Sequence, residues 1–236
     1  MKKYILKDKV DEEYYERFLP VDENLTKTSY EKALDIALDT RKFEIDLYWK
    51  RANYFWLFVA AMFTAYFLIA NNLFEVVNKT EIFNPLKSLF LVLISFLGYF
   101  FSLGWYYVNR ASKFWQENWE VHVDLLGKKV YGKLFTTIKA SNRNYWKLSK
   151  EFPFSVSKVN QILSLIVVLL WMILFLASTS IVFFNYIKFE VCCTLFYNTL
   201  VFLLLLFVSY IFTKHSKSFV KDFKNKDSNI SFYLKD

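Results

Sequence analysis

Four stretches of the chain run without a single Asp, Glu, Lys or Arg: residues 52–74, 88–109, 159–187 and 191–213. A hydrocarbon layer about 30 Å thick is crossed by roughly 20 helical residues, so each stretch is long enough to span it. Backbone groups in lipid find no water, which makes each stretch a helix rather than an open strand. A buried core helix of a soluble protein rarely stays free of charge beyond about 14 residues. The pattern therefore predicts an all-α, four-span membrane protein. Its connectors 75–87 and 188–190 lie on one side, and the arm 1–51, the central segment 110–158 and the tail 214–236 on the other.

Two of the spans continue as helices beyond the apolar block. Thr28 and Glu31 fit a capping box, and from there Leu34, Leu38, Arg41, Ile45, Tyr48, Ala52 and Phe55 recur at alternating spacings of four and three. This heptad seam meets no Pro or Gly and predicts one helix from Ser29 to about Asn72. Arg41, inside the seam, calls for a carboxylate or carbonyl partner unless it snorkels to water. A second long helix is predicted from Ser88 to about Leu126, closed by Gly127 as its C′ residue. Along it Ser95, Gly98, Ser102 and Asn109 fall on one small or polar stripe, which Ser112, Gln116 and Glu120 continue. Small residues let helices approach closely in lipid. The stripe is accordingly read as an oligomer interface or, in the other reading, as the lining of a pore. Trp115, Trp119 and His122 share a face at i, i+4 and i+7 and are expected to pack on the Leu34–Tyr48 seam; the competing reading is a titrating or ligand-stacking surface. Residues 128–138 read as the only strand-like segment, and 141–154 as a basic amphipathic stretch lying on the bilayer.

Composition and charge sharpen this. Only 4 Gly and 3 Pro occur in 236 residues, against roughly 7% and 5% in average soluble domains, which argues against a loop-rich sheet protein. The arm to Arg51 carries 11 Lys or Arg, the segment 110–158 carries 10 and the tail after Thr213 carries 6, whereas the two connectors hold only Lys79, Lys87 and Lys188. Basic residues stay on the cytoplasmic side, so both termini and the central segment are expected there. Trp49, Tyr54, Trp56, Trp105, Tyr106 and Tyr107 sit where interfacial aromatics belong. The net charge of +8 is then mostly topology. The central segment, with 10 basic and 4 acidic residues, is also suited to anionic lipid head groups. No nucleic-acid module accompanies the charge. The first ten residues hold no apolar run of the length a leader needs.

Candidate chemistry is sparse. No phosphate-cradling glycine loop, HExxH or GxSxG motif is present, and His122 and His215 lie in different segments. The adjacent pair Cys192 and Cys193 points in different helical directions and reads as packing rather than redox chemistry. No cofactor or metal is expected, and no enzyme activity. No Asp, Glu, Lys or Arg, of the kind proton relays and coupled transporters place in the membrane, lies inside any span. The leading reading is a homo-oligomeric scaffold or regulator with a surface for an unidentified cytoplasmic protein. The alternative is an oligomeric ion-conducting pore. A membrane enzyme built on Glu117, Glu120, His122 and Asp124 comes third.

Two runs carry a family resemblance. Arg41-Lys42-Phe43-Glu44-Ile45-Asp46-Leu47-Tyr48-Trp49-Lys50-Arg51-Ala52-Asn53-Tyr54-Phe55-Trp56 resembles the juxtamembrane signature of bacterial RipA-like membrane proteins. Asn109-Arg110-Ala111-Ser112-Lys113-Phe114-Trp115-Gln116-Glu117-Asn118-Trp119-Glu120, continuing to Asp124, is similar to a second signature of that family. The resemblance covers about residues 28–130. It implies a ring-like octamer in the inner membrane and supplies no catalytic residue.

Overall fold

In the computed structural model, the described residues are 14–15, 26–77, 80–135, 137, 152–187 and 191–216. Four helices dominate: α1 (Thr26–Asn71), α2 (Pro85–Tyr131), α3 (Val156–Val182) and α4 (Val191–His215). All four are long and apolar enough to cross a membrane. At about 1.5 Å per residue, α1 and α2 are each roughly 70 Å long, more than twice what the hydrocarbon requires.

The ends of these helices depart from the sequence reading in informative ways. The first helix begins at Thr26, so Thr28 falls inside it rather than capping it. A short antiparallel hairpin follows α1, with β1 (Phe74–Val77) paired to β2 (Thr80–Phe83) and Phe74 opposite Phe83. Its β-branched and aromatic residues suit a pleated ribbon. Asn84 caps α2: the Lys87 amide donates to its Oδ1 at 3.1 Å, and Pro85 occupies the first helical position, where its missing N–H costs nothing. At the other end the helix runs past Gly127 to Tyr131, and Gly132, at φ 67°, makes the left-handed turn instead. Gly127 is buried against the Phe135 ring, so its small size serves close packing, while Lys128 and Lys129 in the last turn favour the negative end of the helix dipole. Residues 128–131 are therefore helical and 132–135 a turn, not a strand. Most of the predicted amphipathic stretch 141–154 lies outside the described residues. After α3 the chain widens into a π-type turn, Phe183–Ile187.

The chain divides into two compact units. The first comprises Met1–Ile45, Phe114–Phe152 and Phe219–Asp236, and the second Asp46–Lys113 and Pro153–Ser218. Within the second unit, α1 turns Tyr48, Ala52, Val59 and Tyr66 inward, the continuation of the heptad seam. Of these, Tyr66 belongs to a core with Leu91, Tyr99, Leu103, Trp171, Phe175 and Leu205, which draws on all four helices. Outward, α3 and α4 present Leu163, Ile166, Leu170, Ile173, Leu200, Leu203 and Leu204. Aliphatic faces of this kind suit lipid tails.

Candidate functional site

In the first unit, α1 and α2 meet through Leu34 and Ala37 on one side and Val123, Leu125 and Leu126 on the other, with Trp119 and Leu38 half-buried beside them. Arg41 Nη2 lies 3.5 Å from Glu120 Oε1, both side chains about two-fifths exposed; a pair this wet contributes at most about 1 kcal/mol. Ile45 is half-buried. Of the aromatic face, Trp119 and His122 pack together, ring centroids 5.4 Å apart. Trp115 does not join them: it is exposed and meets Phe114 edge-on. Two residues that sequence reasoning passed over complete the unit. Tyr15 donates its hydroxyl to the Leu125 carbonyl at 2.9 Å, and the Tyr14 hydroxyl lies 2.7 Å from His122 Nδ1. The Lys129 ammonium sits 4.5 Å above the Tyr15 ring, in cation–π range.

Burial sets the charge states here. It pushes the His122 imidazole below its ordinary value and the Tyr14 hydroxyl well above its own, so both are neutral near pH 7 and the hydroxyl donates when Nδ1 is bare. Asp124 is raised, first by burial and then by Glu120, with Arg41 opposing. Glu117 is exposed. Among the described residues no group of three or more His, Cys, Asp or Glu is placed to hold a metal ion.

The membrane stripe belongs to the second unit. Ser95 and Ser102 are 0% exposed and Asn109 1%. Gly98 lies against the six-membered ring of Trp171 on α3, close enough that an added Cβ would collide with it. Trp171 is held in turn by Phe63, stacked at 4.4 Å, and by Tyr66, edge-on at 5.9 Å. Within the chain, Gly98 thus packs on the third span, and Asn109 meets Asn160 and Gln161 at its head. One end of the stripe carries a polar cluster. Asn160 Nδ2 donates to the Tyr48 hydroxyl at 2.7 Å and to Asn109 Oδ1 at 3.3 Å, and Gln161 Nε2 donates to the Asn109 carbonyl at 3.3 Å. Arg51 Nη1 donates to Ser112 Oγ at 3.1 Å. The adjacent Asn160–Gln161 pair at the head of the third span was the signal that could have revealed this cluster. Gln116, next along the stripe, is buried in the first unit.

Cys193 is exposed, and nothing is described of the Cys192 side chain. The described residues amount to a set of packed helices. No curated protein and no solved structure matches the chain. A family model does match, that of the octameric membrane protein family (8xMP), over residues 31–180. That stretch takes in α1 from its second turn, all of α2 and nearly all of α3, well over half the chain, and on it this multi-pass membrane protein belongs to the octameric membrane protein family.

Proposed function

We propose that the chain is the subunit of a homo-octameric scaffold or regulator of the bacterial inner membrane, without catalytic activity. Its termini and first unit face the cytoplasm, where the unit offers a helical surface to a protein partner. The exposed Lys128 and Lys133 near the end of α2 add charge that attracts anionic lipid. The observation that supports this reading best is the filled stripe. Gly98 on the second span lies against Trp171 of the same chain, and Ser95, Ser102 and Asn109 beside it are buried within the subunit, which speaks against a wet path of the kind a pore needs. The family description, which names an octamer, supports the assembly.

The purified protein in planar bilayers tests the reading. A scaffold gives no single-channel events across a range of potentials and salts, whereas reproducible unitary currents would move the assignment to the pore. Orientation is checked by a single cysteine at position 128 in a Cys192→Ser/Cys193→Ser background. It should resist a membrane-impermeant maleimide on intact cells and react once the cells are opened. Labelling from outside would invert the topology and remove the cytoplasmic surface.

A further inference from the structure

The segment of α1 before its charge-free span carries Asp35, Asp39, Arg41, Lys42, Glu44 and Asp46, so it lies in water rather than hydrocarbon. Its inner face buries Leu34 and Ala37 against α2. The opposite face should then be polar throughout, yet Ile36 is 65% exposed and Phe43 60%. These two lie seven residues apart, two helical turns, and so stand one above the other on a single ridge. Thr40 lies between them and turns its hydroxyl inward along the helix, donating to the Ile36 carbonyl at 2.7 Å. Asp39 and Lys42, paired at 3.8 Å and largely solvent-exposed, lie beside the ridge.

Lipid cannot cover this ridge. Asp35, Asp39, Lys42, Glu44 and Asp46 are interspersed with it in the sequence, and such charges do not enter hydrocarbon. An apolar ridge in water on an otherwise charged helix marks a contact surface. The family supplies the occupant. One self-complementary patch ends assembly at a dimer, so an octamer requires contacts at two different faces of each subunit.

We propose that the Ile36–Phe43 ridge is one of these faces, and that it docks on the water-exposed helices of a neighbouring copy of the same chain. The inference rests on the octameric reading and adds to it the location of a subunit contact.

The test compares the full-length wild type with Ile36→Glu/Phe43→Glu by native mass spectrometry from mild detergent. Both side chains are exposed, so the subunit should keep its helical circular dichroism and its thermal midpoint. The octamer fraction should fall at least about tenfold, with smaller species in its place. A double variant that stays octameric overturns the inference and leaves the octameric reading standing. A wild type that is itself not octameric fails both, and does so in a different arm. As a second measurement, a photo-crosslinking benzoylphenylalanine at position 36 in cell membranes should yield an adduct of two identical chains. Adducts solely to another protein or to lipid would overturn the proposal.

Discussion

The contact between Gly98 and Trp171 sets up a substitution whose two effects oppose each other. Gly98→Ala improves helix propensity, by about 1 kcal/mol at most. Against this, the new Cβ would stand 2.5 Å from Trp171 Cε2 and from Cε3, well inside normal carbon–carbon contact. The indole has nowhere to retreat, being 0% exposed, with the Phe63 ring stacked 4.4 Å from it. Overpacking of a tight interior costs about 1–3 kcal/mol, so the net expectation is a loss of roughly 1–2 kcal/mol. Trp171→Leu alone should destabilise by leaving a cavity. In the double variant the new methyl group enters that cavity, so the combined loss should fall short of the sum by about 1 kcal/mol or more. Equilibrium unfolding in mixed micelles of increasing SDS fraction, followed by far-UV circular dichroism, measures all four corners of the cycle. A Gly98→Ala protein as stable as the wild type, or costs that simply add, would refute the close approach of α2 and α3. The octamer fraction should change little, because Gly98 packs on the chain's own third span; a selective loss of octamer would return Gly98 to the subunit contact expected from sequence.

Three further outcomes follow from the same packing. Leu34, 1% exposed, should lose about 2–5 kcal/mol on replacement by Ala, and half-buried Leu38 clearly less; thermal unfolding that ranks them the other way would misplace the inner face of α1. Burial lowers the His122 pKa, so its contribution is intact above about pH 6.5 and is lost as pH falls from there through the depressed value. Asp124, raised by burial and by Glu120, works in the opposite direction at lower pH. Thermal midpoints between about pH 7 and about pH 5.5 should therefore drop in the wild type and stay flatter in His122→Gln, and equal slopes would refute the assignment. Ser102→Asp puts a charge into a dry helix contact at a cost of a few kcal/mol, and size-exclusion chromatography should show failed assembly or poor recovery. A well-assembled variant that conducts cations would instead favour the pore.

How much was legible in the sequence depended on whether the signal was local. Lipid forbids unpaired charge, so four charge-free blocks were enough for the spans. The seam placed Leu34, Tyr48 and Ala52 on the buried side of α1 because a heptad fixes direction within one helix. On α2, Trp115 and Trp119 nominally share one face, yet i and i+4 differ by about 40° around the axis; only Trp119 is turned into the packing, and the edge of a contact cannot be read from spacing. Gly127 and Gly132 offered the same stop signal. A tertiary neighbour, Phe135, separates them, by lying against Gly127 and leaving Gly132 to end the helix. Small residues at Ser95, Gly98 and Ser102 announce a close helix approach without saying whose helix arrives. The Tyr14 and Tyr15 contacts join the N-terminal arm to residues of the second helix more than a hundred positions away, and nothing in their local sequence points there.

Association of the spans needs an explanation of its own, since lipid tails are as apolar as leucine and the hydrophobic effect does little to hold helices together inside the bilayer. Two kinds of contact remain. Tyrosines reach across: Tyr99 donates to the Leu205 carbonyl at 3.0 Å and meets Ser209 Oγ at 2.7 Å, Tyr66 lies 3.2 Å from Ser178 Oγ, and Tyr48 receives Asn160. Such bonds average only about 0.6 kcal/mol in membranes, because partners are also found in the unassembled state. Their number fixes register more than it adds stability. Close packing must carry the rest, and it is concentrated where Gly98 admits Trp171 between Phe63 and Tyr66. Tyr48, Tyr66, Tyr99 and Asn160 thus link helices of the same subunit. Among the described residues, the outward faces of α3 and α4 are largely apolar and suit lipid.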